Sequence, residues 1–362
     1  MKTYKLSLRR PRASMRHIKT VCFCFALSIC WVQIVSASGV DLELRPPTKN
    51  VGTIDAPLPP QMMADDLRIN EIQFVGSHNS YKLAMSPFYA WLLRLIDEPA
   101  ARGLEYWHSP LAEQLDLGLR KLELDVFFDP ETDQFRVGHA QVIDMNSHCE
   151  WLTDCLQAIV AWSGSNPRHA PIWIGFNLKD SIIPLLPEPA PFTLAVMDRL
   201  DEVLQANLGD RIISPSEVAG RRWPTLAQAR GKVLLILDEG GTKRDQYAAT
   251  WQQRPMFVTV NEDHAAAAVM VINDPVQDFA RIRRLVSQGF MVRTRADANT
   301  LEARSNNTLR KQRAFASGAQ AISTDYYYPA VHFNTSYEVS LQPAVRCNPV
   351  SAPPACAGLA VE

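Results

Sequence analysis

Phe74-Val75-Gly76-Ser77-His78-Asn79-Ser80-Tyr81, followed by Leu122-Glu123-Leu124-Asp125-Val126 and then Val137-Gly138-His139, places polar residues where apolar runs end. Short apolar runs closed by turn residues suit buried strands of a parallel sheet. Further runs of this kind fall at 72–75, 119–128, 135–137, 171–179, 233–237, 256–260, 268–272, 290–292 and 321–323. Between them, helical spacing of apolar residues predicts helices over 111–117, 151–162, 192–208, 276–286 and 304–315. Strands alternating with helices imply a mostly parallel sheet with helices on its faces. No GxGxxG follows the first strand, so a dinucleotide-binding fold lacks its mark. A single α/β domain, a TIM-type (β/α) barrel, fits both the length and the polar strand ends.

Composition narrows the partners. Basic residues between Lys2 and Lys19, an apolar stretch from Val21, and small residues at Val35-Ser36-Ala37 predict a signal peptide over 1–37. The expected location is therefore secreted or periplasmic. Residues 1–37 carry seven of the 37 Lys/Arg and none of the 38 Asp/Glu, so the remainder has 30 basic and 38 acidic residues, a formal charge of −8. A nucleic-acid partner is not expected from such a chain. Residues 38–68, with Pro46, Pro47, Pro57, Pro59 and Pro60, read as an irregular arm. The barrel is expected over 69–330, and 331–362 as a tail stapled to the body by its two cysteines.

Cys149, Cys155, Cys347 and Cys356 remain outside the signal. Four cysteines allow three pairings. The close spacing within each pair and the predicted export favour Cys149–Cys155 and Cys347–Cys356.

Glu123 and Asp125 share one face of their strand, opposite Leu122, Leu124 and Val126. Two carboxylates held together repel, and a hard cation such as Ca2+ or Mg2+ relieves that repulsion. Asn79 adds a neutral oxygen. His78 and His139, at the ends of neighbouring strands, are candidates for acid and base. Together these residue types equip a site for phosphoryl transfer.

These motifs also carry a resemblance. Gly76-Ser77-His78-Asn79-Ser80-Tyr81, Leu115-Asp116-Leu117-Gly118-Leu119-Arg120 running into Leu122–Val126, and Gly138-His139 resemble the phosphatidylinositol-specific phospholipase C superfamily. Val292-Arg293-Thr294-Arg295-Ala296-Asp297 and Gly318–Tyr326 look like two further blocks of its calcium-dependent branch. The resemblance covers roughly 69–330. It implies a TIM-type barrel, catalytic His78 and His139, and calcium at Asn79, Glu123, Asp125 and Asn177. It implies cleavage of phosphatidylinositol to diacylglycerol and an inositol cyclic phosphate. The family usually carries Glu where this chain has Asn177, which removes a negative charge. Lys179, Arg293, Arg295 and Tyr326 are candidates for substrate contact, and each arginine could equally pair with Asp297 or Asp325.

Met85, Pro87, Phe88, Tyr89, Trp91 and Leu92 could form a lipid-facing rim or a helix packed on the barrel. Two other functions compete: a phosphodiesterase for soluble glycerophosphodiesters, and an exported binding protein without activity. No obligate protein partner is evident from the sequence.

Overall fold

The computed structural model describes residues 63–362. The expected signal peptide and most of the arm lie outside the described residues. The strands are β1 (Ile72–Ser77), β2 (Lys121–Asp129), β3 (Gln134–Val137), β4 (Ile172–Leu178), β5 (Val233–Leu237), β6 (Met256–Val258), β7 (Val269–Val271), β8 (Met291–Arg295), β9 (Ala321–Thr324) and β10 (Val345–Cys347). Eight of them run in the order β6-β5-β4-β2-β1-β9-β8-β7, every neighbouring pair parallel. This is a nearly closed TIM-type barrel, with the seam between β6 and β7. β3 folds back antiparallel on β2, and β10 pairs antiparallel with β1.

Alternation along the strands divides two surfaces. Leu122, Leu124 and Val126 pack outward with Ile172, Ile174 and Phe176 against Leu152, Leu156, Met197 and Leu200. The last four lie on helices α4 (Leu152–Ser165) and α5 (Leu194–Leu208), which follow α1 (Pro87–Ile96), α2 (Glu98–Gly103) and α3 (Leu111–Asp116). The opposite set points to the axis. Phe74, Trp173, Leu234, Ile236, Met291 and Ala321 fill the lower interior as one apolar cluster. Above it the inward positions turn polar: His78, Glu123, Asp125, Asn177, Arg293, Arg295 and Asp325. Polar groups thus gather at the carboxyl ends of the parallel strands, the face on which barrel enzymes assemble their sites.

β1 and β2 meet at one register pair, Gly76 with Lys121. A Cβ on Gly76 would fall 2.0 Å from the Lys121 carbonyl oxygen and 2.3 Å from its Cβ. Only glycine lets the two strands approach. Gly76→Ala is expected to lower stability by about 1–3 kcal/mol through overpacking. Urea unfolding measures this, and an unchanged midpoint would mean that the strands separate at no cost.

The tail is more ordered than its sequence pattern indicates. Disulfides join Cys149 to Cys155 and Cys347 to Cys356. The second closes a loop within the tail, and what ties the tail to the barrel is β10 on β1. Glu362 adds an ion pair to Arg120, 2.5 Å apart. The helix expected over 304–315 is broken: Asn306 adopts φ 50°, separating Leu301–Ser305 from Leu309–Ser317.

Candidate active site

His78, Tyr106, His139, Arg295 and Asp325 line one cavity of about 500 Å³, walled on one side by Asp97, Pro99, Ala100, Gly103 and Leu104. Both sequence-predicted histidines therefore face the same space, carried there by the loops after β1 and β3.

His78 is held from several directions. Its Nδ1 lies 2.8 Å from Asp325 Oδ1. A carboxylate only accepts, so Nδ1 carries the proton and Nε2 keeps its lone pair. Arg295 sits 3.4 Å from each ring nitrogen, and Glu123 Oε1 lies 3.5 Å from Nε2. Burial, and next the Arg295 charge, lower the His78 pKa below its ordinary value, against the opposing pull of Asp325 and Glu123. The imidazole is thus a neutral base at neutral pH, with two carboxylates placed to stabilise the cation formed when it takes a proton. Burial raises the Asp325 pKa, but His78 and Arg295 outweigh it and the net shift is downward. Asp297, just behind, is pushed up to about 7 by burial and by Asp325.

His139 stands on a second acidic support. Its Nδ1 is 3.1 Å from Asp144 Oδ2, close enough for an ion pair but outside hydrogen-bond geometry. Asp144 is itself fixed by the fully buried Lys82 ammonium at 2.5 Å. Each histidine therefore has a carboxylate beside it, and for His78 the hydrogen bond to Asp325 orients the imidazole for proton transfer.

Sequence reading missed several of these supports. Tyr106 receives a hydrogen bond from Asn79 Nδ2 at 2.8 Å and places its hydroxyl 3.3 Å from His78 Nδ1. His108 Nε2 lies 2.6 Å from the His78 carbonyl oxygen and donates to it. The polar-aromatic run Glu105-Tyr106-Trp107-His108 was the only local signal. Tyr326 is set apart from the other candidates. It follows the inward Asp325 by one residue, so it faces the opposite way. Its side chain is buried in the cluster with Tyr106, Tyr337 and Val339, and it does not line the cavity.

The Glu123–Asp125 face is crowded with cations. Lys121, inward by the same alternation, places its Nζ 2.5 Å from Glu123 Oε2. Arg293 NH2 lies 2.6 Å from that same oxygen. Lys179 Nζ is 2.9 Å from Asp125 Oδ2, and the Tyr81 hydroxyl donates to that oxygen at 3.0 Å. Asn177 Nδ2 donates to Glu123 Oε1 at 3.3 Å and to Asp125 Oδ1 at 2.9 Å. Burial alone would raise the Glu123 pKa, but Lys121 and Arg293 overcome it and hold the group well below the carboxylate range. Burial brings Lys121 down to about 8 despite Glu123.

A family model described as "Phosphoinositide phospholipase C, Ca2+-dependent" matches residues 67–136 and 131–349. The chain belongs to this family of phosphoric diester hydrolases. Among solved structures, the calcium-dependent phosphoinositol-specific phospholipase C of a Gram-negative Pseudomonas species, in an apo form, is 16% identical. It has a TM-score of 0.51 and covers 80% of this chain and 97% of that one. A myoinositol complex of the Pseudomonas protein gives 17% identity, a TM-score of 0.51, and coverage of 80% and 99%. The Ca2+-dependent phosphatidylinositol-specific phospholipase C of Streptomyces antibioticus is 17% identical, with a TM-score of 0.49 and coverage of 74% and 98%. The two Pseudomonas structures support the barrel fold. No curated protein matches the chain.

The family description raises calcium, and the donor set can be tested against it. Calcium needs several oxygens free to face it. Here both Glu123 oxygens and both Asp125 oxygens already accept from Lys, Arg, Tyr or Asn donors. Asn177 turns its amide nitrogen, not its oxygen, to the two carboxylates. The reverse orientation would set its oxygen against both of them. Asn79 donates to Tyr106 and has no hydrogen bond to either carboxylate. Among the described residues no group of three or more His, Cys, Asp or Glu is placed to hold a metal ion. The expected ligand set of Asn79, Glu123, Asp125 and Asn177 therefore does not fit a calcium ion as arranged, because its oxygens already serve internal cations.

Proposed function

We propose that the protein cleaves phosphatidylinositol to diacylglycerol and an inositol cyclic phosphate. The observation that carries this reading is the opening of two carboxylate-backed histidines and Arg295 onto one cavity. In this scheme Arg295 binds the anionic phosphodiester and balances charge as it builds on the equatorial oxygens. His78 Nε2 takes the proton of the inositol 2-hydroxyl. The 2-oxygen then attacks phosphorus within the same molecule, where proximity replaces a bimolecular encounter. The bond from phosphorus to the glycerol oxygen breaks, and His139 gives that oxygen its proton. Asp325 holds the His78 imidazole by a hydrogen bond, and Asp144 lies beside that of His139. Lys179 and Arg293, bound to Asp125 and Glu123, act on the substrate only through those carboxylates.

The reading also needs a lipid surface. No residue of α1 is buried. Phe88, Trp91, Leu95 and Ile96 are 62%, 56%, 67% and 73% exposed. Ser86 caps the helix and Pro87 occupies its first turn, so the helix is set by its own sequence rather than by packing. Its last residues lead directly into Asp97–Gly103, the cavity wall. An apolar helix at the mouth of a phospholipase site suits peripheral contact with a bilayer. Among the described residues no helix is long and apolar enough to cross a membrane. Export is part of the same proposal, supported by the expected signal and the two disulfides.

Truncating Phe88 and Trp91 together to Ala is expected to reduce vesicle binding by about 100-fold, from the apolar area of two side chains. Cleavage of a short-chain monomeric phosphatidylinositol should stay unchanged. Equal losses on both substrates would place α1 in catalysis rather than docking. The function itself is tested by diacylglycerol release from phosphatidylinositol vesicles. No diacylglycerol from the vesicles, with glycerol released from glycerophosphoinositol, would replace the lipid reading.

A further inference from the structure

We propose that Lys121, Arg293 and Lys179 are resident cations that take the place of a calcium ion, so that this chain acts on phosphodiesters without calcium. The inference rests on the function proposed above and departs from the calcium dependence by which the family is described.

Charge counting carries the argument. Three side-chain cations face the two carboxylates Glu123 and Asp125, at 2.5 to 2.9 Å. Asp238, close enough to feel Lys121, Arg293 and Glu123, adds a third carboxylate, so three cations already balance three anions before any metal enters. A dication there would not find the excess negative charge that normally attracts it.

Lys121 is a built site rather than a chance contact. It is fully buried. Its ammonium donates to the Ser77 carbonyl oxygen at 2.7 Å, Glu123 Oε2 at 2.5 Å and Ser323 Oγ at 3.0 Å. Three donors thus have three acceptors, and nothing is left for water. A calcium ion on Glu123 would have to evict this ammonium from its main counter-charge inside the barrel. Arg293 is equally committed, spanning Glu123, Ser323 and Asn273. Asn177 completes the pattern. A carboxylate there would add a further anion of the kind that a metal site wants. Asn177 supplies two more hydrogen bonds to the existing anions instead.

These cations also position the catalytic groups. Glu123 Oε2 is held by Lys121 and Arg293, which leaves Oε1 directed at His78 Nε2. A fixed internal cation therefore does for Glu123 what a bound metal would do, and it is present at every calcium concentration.

The test uses the purified full chain in two measurements. Phosphatidylinositol turnover is measured in EGTA and in millimolar calcium, and calcium binding is measured by titration calorimetry. The expected results are turnover equal in both conditions within about twofold, and no saturable calcium heat that Glu123→Gln removes. Turnover lost in EGTA and restored by calcium overturns the inference while leaving the proposed function intact. If neither condition gives turnover, the functional reading fails, and the calorimetry still decides the charge assignment. Saturable binding lost in Glu123→Gln overturns it, and absence of such binding supports it. Lys179→Met, at a partly exposed position, supplies a variant that keeps the barrel interior untouched. Its turnover should fall and be partly recovered by added calcium once Asp125 is freed. A fall that calcium leaves unchanged, with no gain in calcium binding, would count against Lys179 as a stand-in for the ion.

Discussion

His78→Gln is expected to lower kcat for phosphatidylinositol cleavage by about 10²–10⁴-fold, the range that a positioned general base supplies. Glutamine approximates the ring's length and polarity but cannot take a proton, so the fold should survive the change. The Asp325 carboxylate keeps Arg295 as a partner at 3.2 Å, which limits the structural disturbance. KM should move little, because Arg295 still binds the phosphodiester. His139→Gln should cost a similar factor. The double variant should lose much less than the product of the two, since proton removal and proton delivery belong to one displacement. Single-turnover kinetics with circular dichroism on each variant checks this. Full activity in either single variant would remove that histidine from the scheme.

Arg295→Gln carries the second large effect. Loss of a charged donor aimed at the transferring phosphoryl group should cost about 10²–10³-fold in kcat/KM. A second readout separates this role from a structural one. Burial and the Arg295 charge depress the His78 pKa, while Asp325 and Glu123 raise it, and Tyr106 and His108 complete its surroundings. The active form is neutral His78, so activity falls on the acid side as that group protonates. The acid limb of kcat/KM should therefore lie below the ordinary histidine range in the natural protein. Removing the Arg295 charge should move that limb to higher pH. Asp325→Asn removes an anion and should move it the other way. An acid limb that stays fixed in both variants would show that His78 is not the titrating base.

The sequence was most legible where one strand carried the whole message. Alternation along 121–126 already separated Leu122, Leu124 and Val126 from Glu123 and Asp125, and the barrel placed them on opposite surfaces. The same alternation puts Lys121 inward. A lysine beside a turn normally reads as solvent-facing, so the residue type masks this position. Tyr326, a candidate for substrate contact, shows the converse: one residue of register turns its ring into the core. The carboxylate behind His78 comes from a sequence distance that local patterning cannot bridge, whereas the one behind His139 is only a turn away. Asp325 reaches His78 only because β9 lies next to β1, and Asp144 reaches His139 through the turn after β3. Barrel closure also selects between the arginines. Arg293 goes to Glu123 below the cavity, whereas Arg295, two residues on, reaches its wall. Helix α1 has the same hydrophobicity whether it packs on the barrel or faces outward, and only the exposure of Phe88 and Trp91 shows that these side chains are not packed.

The central claim is intramolecular attack on phosphatidylinositol by a histidine-based site. Phosphorus NMR of phosphatidylinositol vesicles mixed with the purified protein tests it most directly. The account predicts that the lipid diester signal is replaced by that of inositol 1,2-cyclic phosphate, and that His78→Gln abolishes the conversion. An unchanged lipid signal, with glycerophosphoinositol cleaved in the same tube, would contradict it.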